Sequence, residues 1–241
     1  MAKVVLITGA NKGIGFEVAR QLGRAGFTVL LGARDASRGQ EAAAKLREED
    51  SDVRFVVADL NRASESGVAL AKKIGEEFGH LDVLVNNAGM GDPADGHASA
   101  STIDALRNTF ETNFFGTVAF TQPLLPLLRA AEGARIVNVS SALGSIAING
   151  DTSSPFYHVK ALAYNASKAA VNMFTVDLAY DLRDTKIKVN SACPGFTATD
   201  MTNYQAPQTV EEGAIAIARL AQLPDDGPTG SFIHKDGTYP W

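Results

Sequence analysis

A single cysteine, Cys193, stands among 241 residues, so no internal disulfide can form and a disulfide-stapled scaffold is excluded. No apolar run approaches the roughly 20 residues that a membrane-spanning helix needs. Long basic runs are missing as well. The balance of 22 Lys and Arg against 27 Asp and Glu gives a formal charge of −5, which argues against nucleic acid or an anionic membrane as the main partner. The four histidines, His80, His97, His158 and His234, have neither metal-ligand spacing nor a cysteine cluster beside them, and no metal is expected. Repeats and low-complexity segments are absent. Met1-Ala2-Lys3 runs straight into an apolar strand without signal-peptide architecture. A cytoplasmic protein with a small-molecule partner is the expectation.

What is present is enough apolar matter for a large core. With 45% hydrophobic residues, the chain reads as one domain over 1–241. Short apolar runs at 3–8, 27–32, 53–58, 81–86, 134–139, 187–192 and 230–234 alternate with helical spacing near 14–25, 37–49, 62–78, 102–130, 161–184 and 208–223. This alternation predicts an α/β fold: a doubly wound, Rossmann-type parallel sheet of about seven strands with helices on both faces. Pro123 and Pro126 should bend or interrupt the fourth helix. The stretches 89–101 and 141–158 are expected to be irregular, and each follows a strand, where such sheets bind ligands.

The first strand closes on Thr8-Gly9-Ala10-Asn11-Lys12-Gly13-Ile14-Gly15. Three glycines allow a tight turn and close approach of backbone to pyrophosphate, and the following helix points its positive end at the phosphates. At the end of the second strand, Ala33 occupies the position where a carboxylate would receive ribose hydroxyls. Arg34 and Lys12 suit a 2′-phosphate instead, so NADP(H) is favoured over NAD(H), although Asp35 leaves room for a ribose acceptor.

Tyr164 and Lys168 are four residues apart, on one face of a helix, so the ammonium can stand beside the phenol and favour its ionised form. A phenol with its ordinary pKa of about 10 would hold its proton too tightly for exchange with a carbonyl oxygen. Tyr157 and Lys160, three apart in an expected loop, form a rival pair better read as packing at the pocket rim. Cys193 reads as a small buried side chain.

These features, followed in order by Asp59-Leu60, Asn86-Asn87-Ala88-Gly89, Asn113, Ser140-Ser141, Tyr164-x-x-x-Lys168 and Pro194-Gly195, resemble the short-chain dehydrogenase/reductase family over nearly the whole chain. Ala33-Arg34-Asp35, the 23 positions from Ser141 to Tyr164 and the tail at Trp241 are most similar to its NADPH-dependent carbonyl reductases. The resemblance implies reversible reduction of ketones and aldehydes. Tyr164 would be the proton donor, Lys168 would touch the nicotinamide ribose, Ser141 would hydrogen-bond the substrate oxygen, and Asn113 would support a water-linked proton path. It implies a cofactor set of Gly9, Asn11, Lys12, Gly13, Ile14, Gly15, Arg34, Asp59, Leu60, Asn86, Ala88, Gly89, Tyr164, Lys168, Pro194, Gly195, Thr197 and Thr199. Among these, Asp59 would meet the adenine, Asn86 and Ala88 would lie along the adenosine half, and Thr197 and Thr199 would close over the nicotinamide and phosphates.

Substrate loops are expected at 89–101, 142–159 and 196–208. Within the second, Leu143 to Val159 should form a flap over the substrate, its rival being a contact between subunits of a homo-oligomer. Phe156, Tyr157, Phe196 and Tyr204 offer an apolar wall. A non-catalytic NADP(H) sensor and an enoyl reductase are the alternative functions. The complete set Asn113, Ser141, Tyr164 and Lys168 disfavours the first, and the four-residue tyrosine-to-lysine spacing disfavours the second.

Overall fold

Val4-Val5-Leu6-Ile7 carries no polar position, and a strand of that kind is stable only with both faces covered. In the computed structural model, which describes residues 2–241, all four residues are buried in β1 (Val4–Ile7), at the centre of one sheet. The other strands are β2 (Thr28–Ala33), β3 (Val53–Val57), β4 (Val83–Asn86), β5 (Arg135–Val139), β6 (Lys188–Ala192), β7 (Ser231–His234) and β8 (Gly237–Thr238). Their order is β3-β2-β1-β4-β5-β6-β7-β8. The first seven pair in parallel and β8 turns back antiparallel on β7. The parallel core agrees with the sequence pattern. β8 was not foreseen, because two residues are too few to show a period.

Alternate residues of each strand feed two apolar layers. Val5 and Ile7 point into one, with α1 (Gly13–Arg24), α2 (Ala36–Arg47) and α9 (Val210–Ala221). Val4 and Leu6 point into the other, with α3 (Ala63–Phe78), α5 (Thr117–Thr121), α6 (Leu125–Ala130) and α8 (Leu162–Asp181). The strand order reverses between β1 and β4, so the loops after these strands part and leave a crevice at their carboxyl ends. No helix among the described residues is long and apolar enough to cross a membrane.

Two stretches depart from the expected pattern. The helix anticipated over 102–130 is α4 (Ile103–Phe110), a π-helical turn at Glu111–Gly116 holding Asn113, then α5, a 3₁₀ turn at Gln122–Leu124 containing Pro123, and α6 with Pro126 in its first turn. A proline lacks the N–H that a continuous helix requires, and a π turn inserts one residue without unwinding the rest. The connector expected to be irregular contains α7 (Ile146–Gly150), capped by Ser145, whose hydroxyl accepts the Ile148 N–H at 3.0 Å.

Polar groups buried behind the crevice are paired across strands. Asn86 and Asn138 are register neighbours on β4 and β5, and Ser191 follows opposite Asn138 on β6. Asn86 Nδ2 donates to Asn138 Oδ1 at 2.8 Å and to Thr121 Oγ1 at 2.9 Å, Asn138 Nδ2 donates to Thr175 Oγ1 at 2.9 Å, and the Thr175 and Ser191 hydroxyls are 2.8 Å apart. Cutting this chain strands the survivors without water. Asn138→Ala should lower unfolding free energy by about 2–3 kcal/mol, measured by urea titration; a loss below about 1 kcal/mol would mean that the row contributes little to stability.

Candidate active site

The glycine turn follows β1 directly, and its backbone geometry is what the glycines allow. Gly9 and Gly13 have φ of +64° and +58°, a region that side chains disfavour. A Cβ on Gly15 would lie 2.4 Å from Asn87 Nδ2 and 2.6 Å from the Gly9 carbonyl oxygen, so no other residue fits there. Asn87 and Thr8 staple this turn to the loop after β4. Asn87 Nδ2 donates to the carbonyls of Thr8 and Gly9 at 2.9 and 3.1 Å, while Thr8 Oγ1 accepts the N–H groups of Asn87 and Ala88, both at 3.0 Å. Neither residue was among the candidates, although both belong to the motifs that carry the resemblance. α1 then begins at Gly13 with no side-chain cap on Lys12 and no acid in its first turn. Such a helix end has free N–H groups and a positive dipole, and suits a phosphate.

Beyond β2, Ala33 is buried and Arg34 exposed. Asp35, the one carboxylate placed to accept ribose hydroxyls, caps α2: its side chain accepts the Arg38 N–H at 3.1 Å and lies 3.7 Å from the Arg38 guanidinium. Arg38 lies in the first turn of α2, four residues after Arg34, and no spacing rule had singled it out. Lys12, expected at a 2′-phosphate, has a protein partner in this structure. It pairs with Asp200 of the 196–208 loop, and Tyr204 Oη donates to the same carboxylate. The ammonium and the phenol together hold Asp200 below the usual carboxylate range.

The remaining cofactor candidates divide between cleft and interior. Asp59 caps the short 3₁₀ turn at Leu60–Arg62, accepting the Asn61 N–H at 3.0 Å, and Leu60 is buried. The Asn86 amide nitrogen is spent in the interior row, which fixes the side chain at the end of β4. Thr199 stands over the glycine turn, its Cγ2 3.6 Å from where a Cβ on Gly13 would be. Thr197 turns inward instead. It is 2% exposed, and its hydroxyl contacts the carbonyls of Pro194 and Gly195 at 3.3 Å and Gln208 Nε2 at 3.1 Å. Gly195, at φ +82°, makes the turn that sends this loop across the crevice.

The four candidate catalytic residues converge beside the turn. Ser141 follows β5, Tyr164 and Lys168 lie on the first two turns of α8, and Asn113 is in the π turn. Ser141 Oγ accepts the Leu143 N–H at 3.2 Å and acts on the Tyr164 phenol in the direction that favours its ionised form. Ser140 is excluded from that role, since its buried hydroxyl donates to the Lys168 carbonyl at 3.3 Å. Lys168 Nζ donates to the Val139 carbonyl at 2.9 Å and lies 5.7 Å from the Tyr164 ring centre. Burial pushes the Tyr164 phenol up to about 12 against the opposing Ser141 hydrogen bond, and pushes Lys168 down to about 8. Lys168 is expected to favour the ionised phenol, and removal from water, which opposes ionisation of both groups, is the larger influence on each. Asn113 is fully engaged, its Oδ1 accepting the Met90 N–H at 2.8 Å and its Nδ2 donating to the Met90 carbonyl at 2.8 Å and Ser167 Oγ at 3.0 Å.

The rival pair is elsewhere. Lys160 Nζ sits 4.9 Å from the Tyr157 ring centre and donates to the Asn149 carbonyl at 2.9 Å. A cavity of about 410 Å³ lies between residues 97–99 and 160–162, with Asn165, but neither Ser141 nor Lys168 lines it. Concavity alone would therefore misplace the chemistry. The connector after Ser141 lies along the C-terminal strands. Ile148, Phe156 and Tyr239 pack on buried Ala142, Cys193 and Phe232, the Ala147 N–H donates to the Trp241 carbonyl at 3.1 Å, and the Trp241 ring stacks on Phe232 at 5.6 Å.

Residues 3–209 match the model of the short chain dehydrogenase family. The chain is 40% identical over 225 residues to a short-chain dehydrogenase of Penicillium roqueforti (strain FM164), covering 90% of this chain and 88% of that protein. It is 34% identical over 280 aligned residues to carbonyl reductase (NADPH) 1 of Rattus norvegicus, with 99% and 98% covered. An NADPH-bound carbonyl reductase from chicken fatty liver superposes with a TM-score of 0.86 at 28% identity, covering 100% of this chain and 99% of the other. The chain belongs to the short-chain dehydrogenase/reductase family, near its carbonyl reductases.

Proposed function

We propose that this oxidoreductase reduces ketones and aldehydes to alcohols with NADPH, using Tyr164 as the proton donor. The observation that carries the reading is a phenol, Tyr164, beside Ser141 and 5.7 Å at its ring centre from a buried lysine ammonium that the Val139 carbonyl holds. NADPH, when bound, supplies the hydride. The residues that would hold it are the glycine turn with the start of α1, the rim cations Arg34 and Arg38, the main chain at Asn86 to Gly89, and Thr199. With Asp35 committed to α2, the rim favours a phosphate over free ribose hydroxyls.

Ser141 Oγ and Tyr164 Oη converge on one point, where a carbonyl oxygen accepts both hydrogen bonds. As negative charge develops on that oxygen, the phenol proton moves from Oη to it, forming the alcohol O–H and leaving a phenolate. The Lys168 ammonium stabilises that phenolate and is itself fixed by Val139. Asn113 holds Met90 and Ser167, bracing the wall behind the lysine. A sensor that only bound cofactor would gain nothing from a buried ammonium beside a phenol. Small-molecule carbonyls are the partner class, the setting is cytoplasmic, and the 142–159 connector acts as a flap that selects substrates through its attachment to the C-terminal strands.

Tyr164→Phe should reduce kcat at least about 100-fold with the KM for NADPH within about two-fold. In the parent, ketone reduction should decline as pH rises through about 8, where Lys168 loses the charge that steadies the phenolate, and Lys168→Arg should move that limb upward. A profile flat to pH 10 would remove the lysine from the mechanism. For the cofactor, Arg34→Ala should raise the KM for NADPH about ten- to a hundred-fold and leave the KM for NADH within about two-fold; equal effects on both would place the guanidinium away from the 2′-phosphate. Phe156→Ala should change the ratio of kcat/KM between a bulky and a small ketone by about three- to ten-fold, and an unchanged ratio with altered subunit association would make the connector an interface element.

A further inference from the structure

α8 needs a cap that its own sequence does not provide. Its N-cap residue is Ala161, which has no side-chain acceptor, and no acid lies in its first turn. Four N–H groups at a helix start require partners, and a carboxylate there is stabilised by the helix dipole. The partner comes from the 89–101 loop. Asp95 Oδ1 accepts the Ala163 N–H at 2.9 Å and Oδ2 accepts the N–H of Tyr164 itself at 2.9 Å, across 68 and 69 positions of sequence. The Gly96 carbonyl accepts the Leu162 N–H at 2.8 Å, so three successive first-turn donors are satisfied by one loop.

The carboxylate is itself held from within the loop, by the Gly96 N–H at 2.8 Å and by Ser101 Oγ at 2.9 Å. Burial pushes Asp95 up, but the hydrogen bonds from Ala163, Tyr164, Ser101 and Gly96 outweigh it and keep the group below the usual carboxylate range. Nearer the sheet the same segment meets the other groups of the site in sequence. A Cβ on Gly89 would lie 3.2 Å from Lys168 Nζ, Met90 is pinned by Asn113 through both its N–H and its carbonyl, and a Cβ on Gly91 would lie 3.9 Å from Tyr164 Cδ2. The loop thus meets the side of the tyrosine ring at one point and holds its main chain at another.

We propose that Asp95 is a positioning residue for Tyr164, a cap supplied in tertiary structure that fixes the phenol relative to Ser141 and ties the 89–101 loop to the reacting centre. The proposal rests on the reading of Tyr164 as proton donor. Displacing a donor by a fraction of its hydrogen-bond length costs rate while leaving the glycine turn and the adenosine rim, where most cofactor contacts are expected, in place. A local cap at residue 161 would restore helix stability but not the link to the loop.

The test compares Asp95→Ala, Asp95→Asn and the double variant Asp95→Ala with Ala161→Ser, following kcat, KM for NADPH, thermal midpoint and amide hydrogen exchange. Asp95→Ala should lower kcat about ten- to a hundred-fold, leave the KM for NADPH within about two-fold and speed exchange at the amides of Ala163 and Tyr164. Adding Ala161→Ser should recover the midpoint while kcat stays low. Parent-like kcat in Asp95→Ala, or recovery of kcat together with the midpoint in the double variant, overturns the proposal. Should Asp95→Ala not fold, Asp95→Asn keeps the volume and one acceptor oxygen; full kcat there also overturns it. Tyr164→Phe run alongside separates the two readings. Activity retained in that variant refutes the proton donor, whereas activity lost there but kept in the Asp95 variants refutes only the positioning role.

Discussion

Placing the Lys168 ammonium at 4% exposure is the constraint that shapes the rest of the cleft, because an ion removed from water destabilises the fold unless its surroundings are arranged for it. The Val139 carbonyl provides the acceptor, and glycines provide the space. A Cβ on Gly144 would lie 2.7 Å from the Lys168 carbonyl carbon, so α8 approaches the turn after β5 only because residue 144 has no side chain. Gly89 relieves the other side, next to Nζ. The same burial moves phenol and ammonium in opposite directions, up to about 12 and down to about 8, which leaves a neutral acid beside a charged lysine at neutral pH. That is the protonation state a carbonyl reduction starts from.

Parallel strands deliver the groups of the cleft to one edge, since all of them end on the same side of the sheet. Thr8 follows β1, Asn87 follows β4, Ser141 lies just past β5 and Pro194 just past β6. Directly beneath that rim runs the row Asn86, Asn138 and Ser191, one position before Val139, whose carbonyl holds the lysine. A slip of one residue between β4 and β5 would turn these amides toward an apolar layer and leave them unpaired. The polar row therefore fixes the register on which the carbonyl at residue 139 depends. Fold specificity and catalytic geometry come from the same hydrogen bonds.

Much of this was legible in the chain itself. β-branched runs bounded by turns marked β1 to β7, and the glycines marked the turn, because both obey local rules that a short window contains. Tyr164 and Lys168 were legible because four residues on a helix is a contact by geometry. What escaped detection shares a different property. Asp95 lies in a loop with no period, Asp200 meets Lys12 across 188 positions, and Thr197 turns inward only because Gly213 of α9 leaves room for it. The π turn at Asn113 has no propensity signature, and α7 is one turn long, below the length at which periodicity appears. Contacts made between distant segments are set by packing, which no window of sequence reports.

The outcome is a site with unequal constraints on its two sides. Tyr164 is held by its main chain through Asp95, with Ser141 beside its hydroxyl, while Lys168 and Asn113 are locked into the sheet and the π turn. The substrate side is attached otherwise. Its connector leans through Ile148 and Phe156 on Phe232 and Tyr239, at the far edge of the sheet from the adenosine rim, and its helix α7 meets the chain again at Trp241. On the proposed reading of the connector as a flap, its changes fall on the edge strands and on α8 through Asn149 and Asn165, away from the glycine turn. On that proposed reading, a single sheet carries the reaction frame in its interior and a variable wall at its margin.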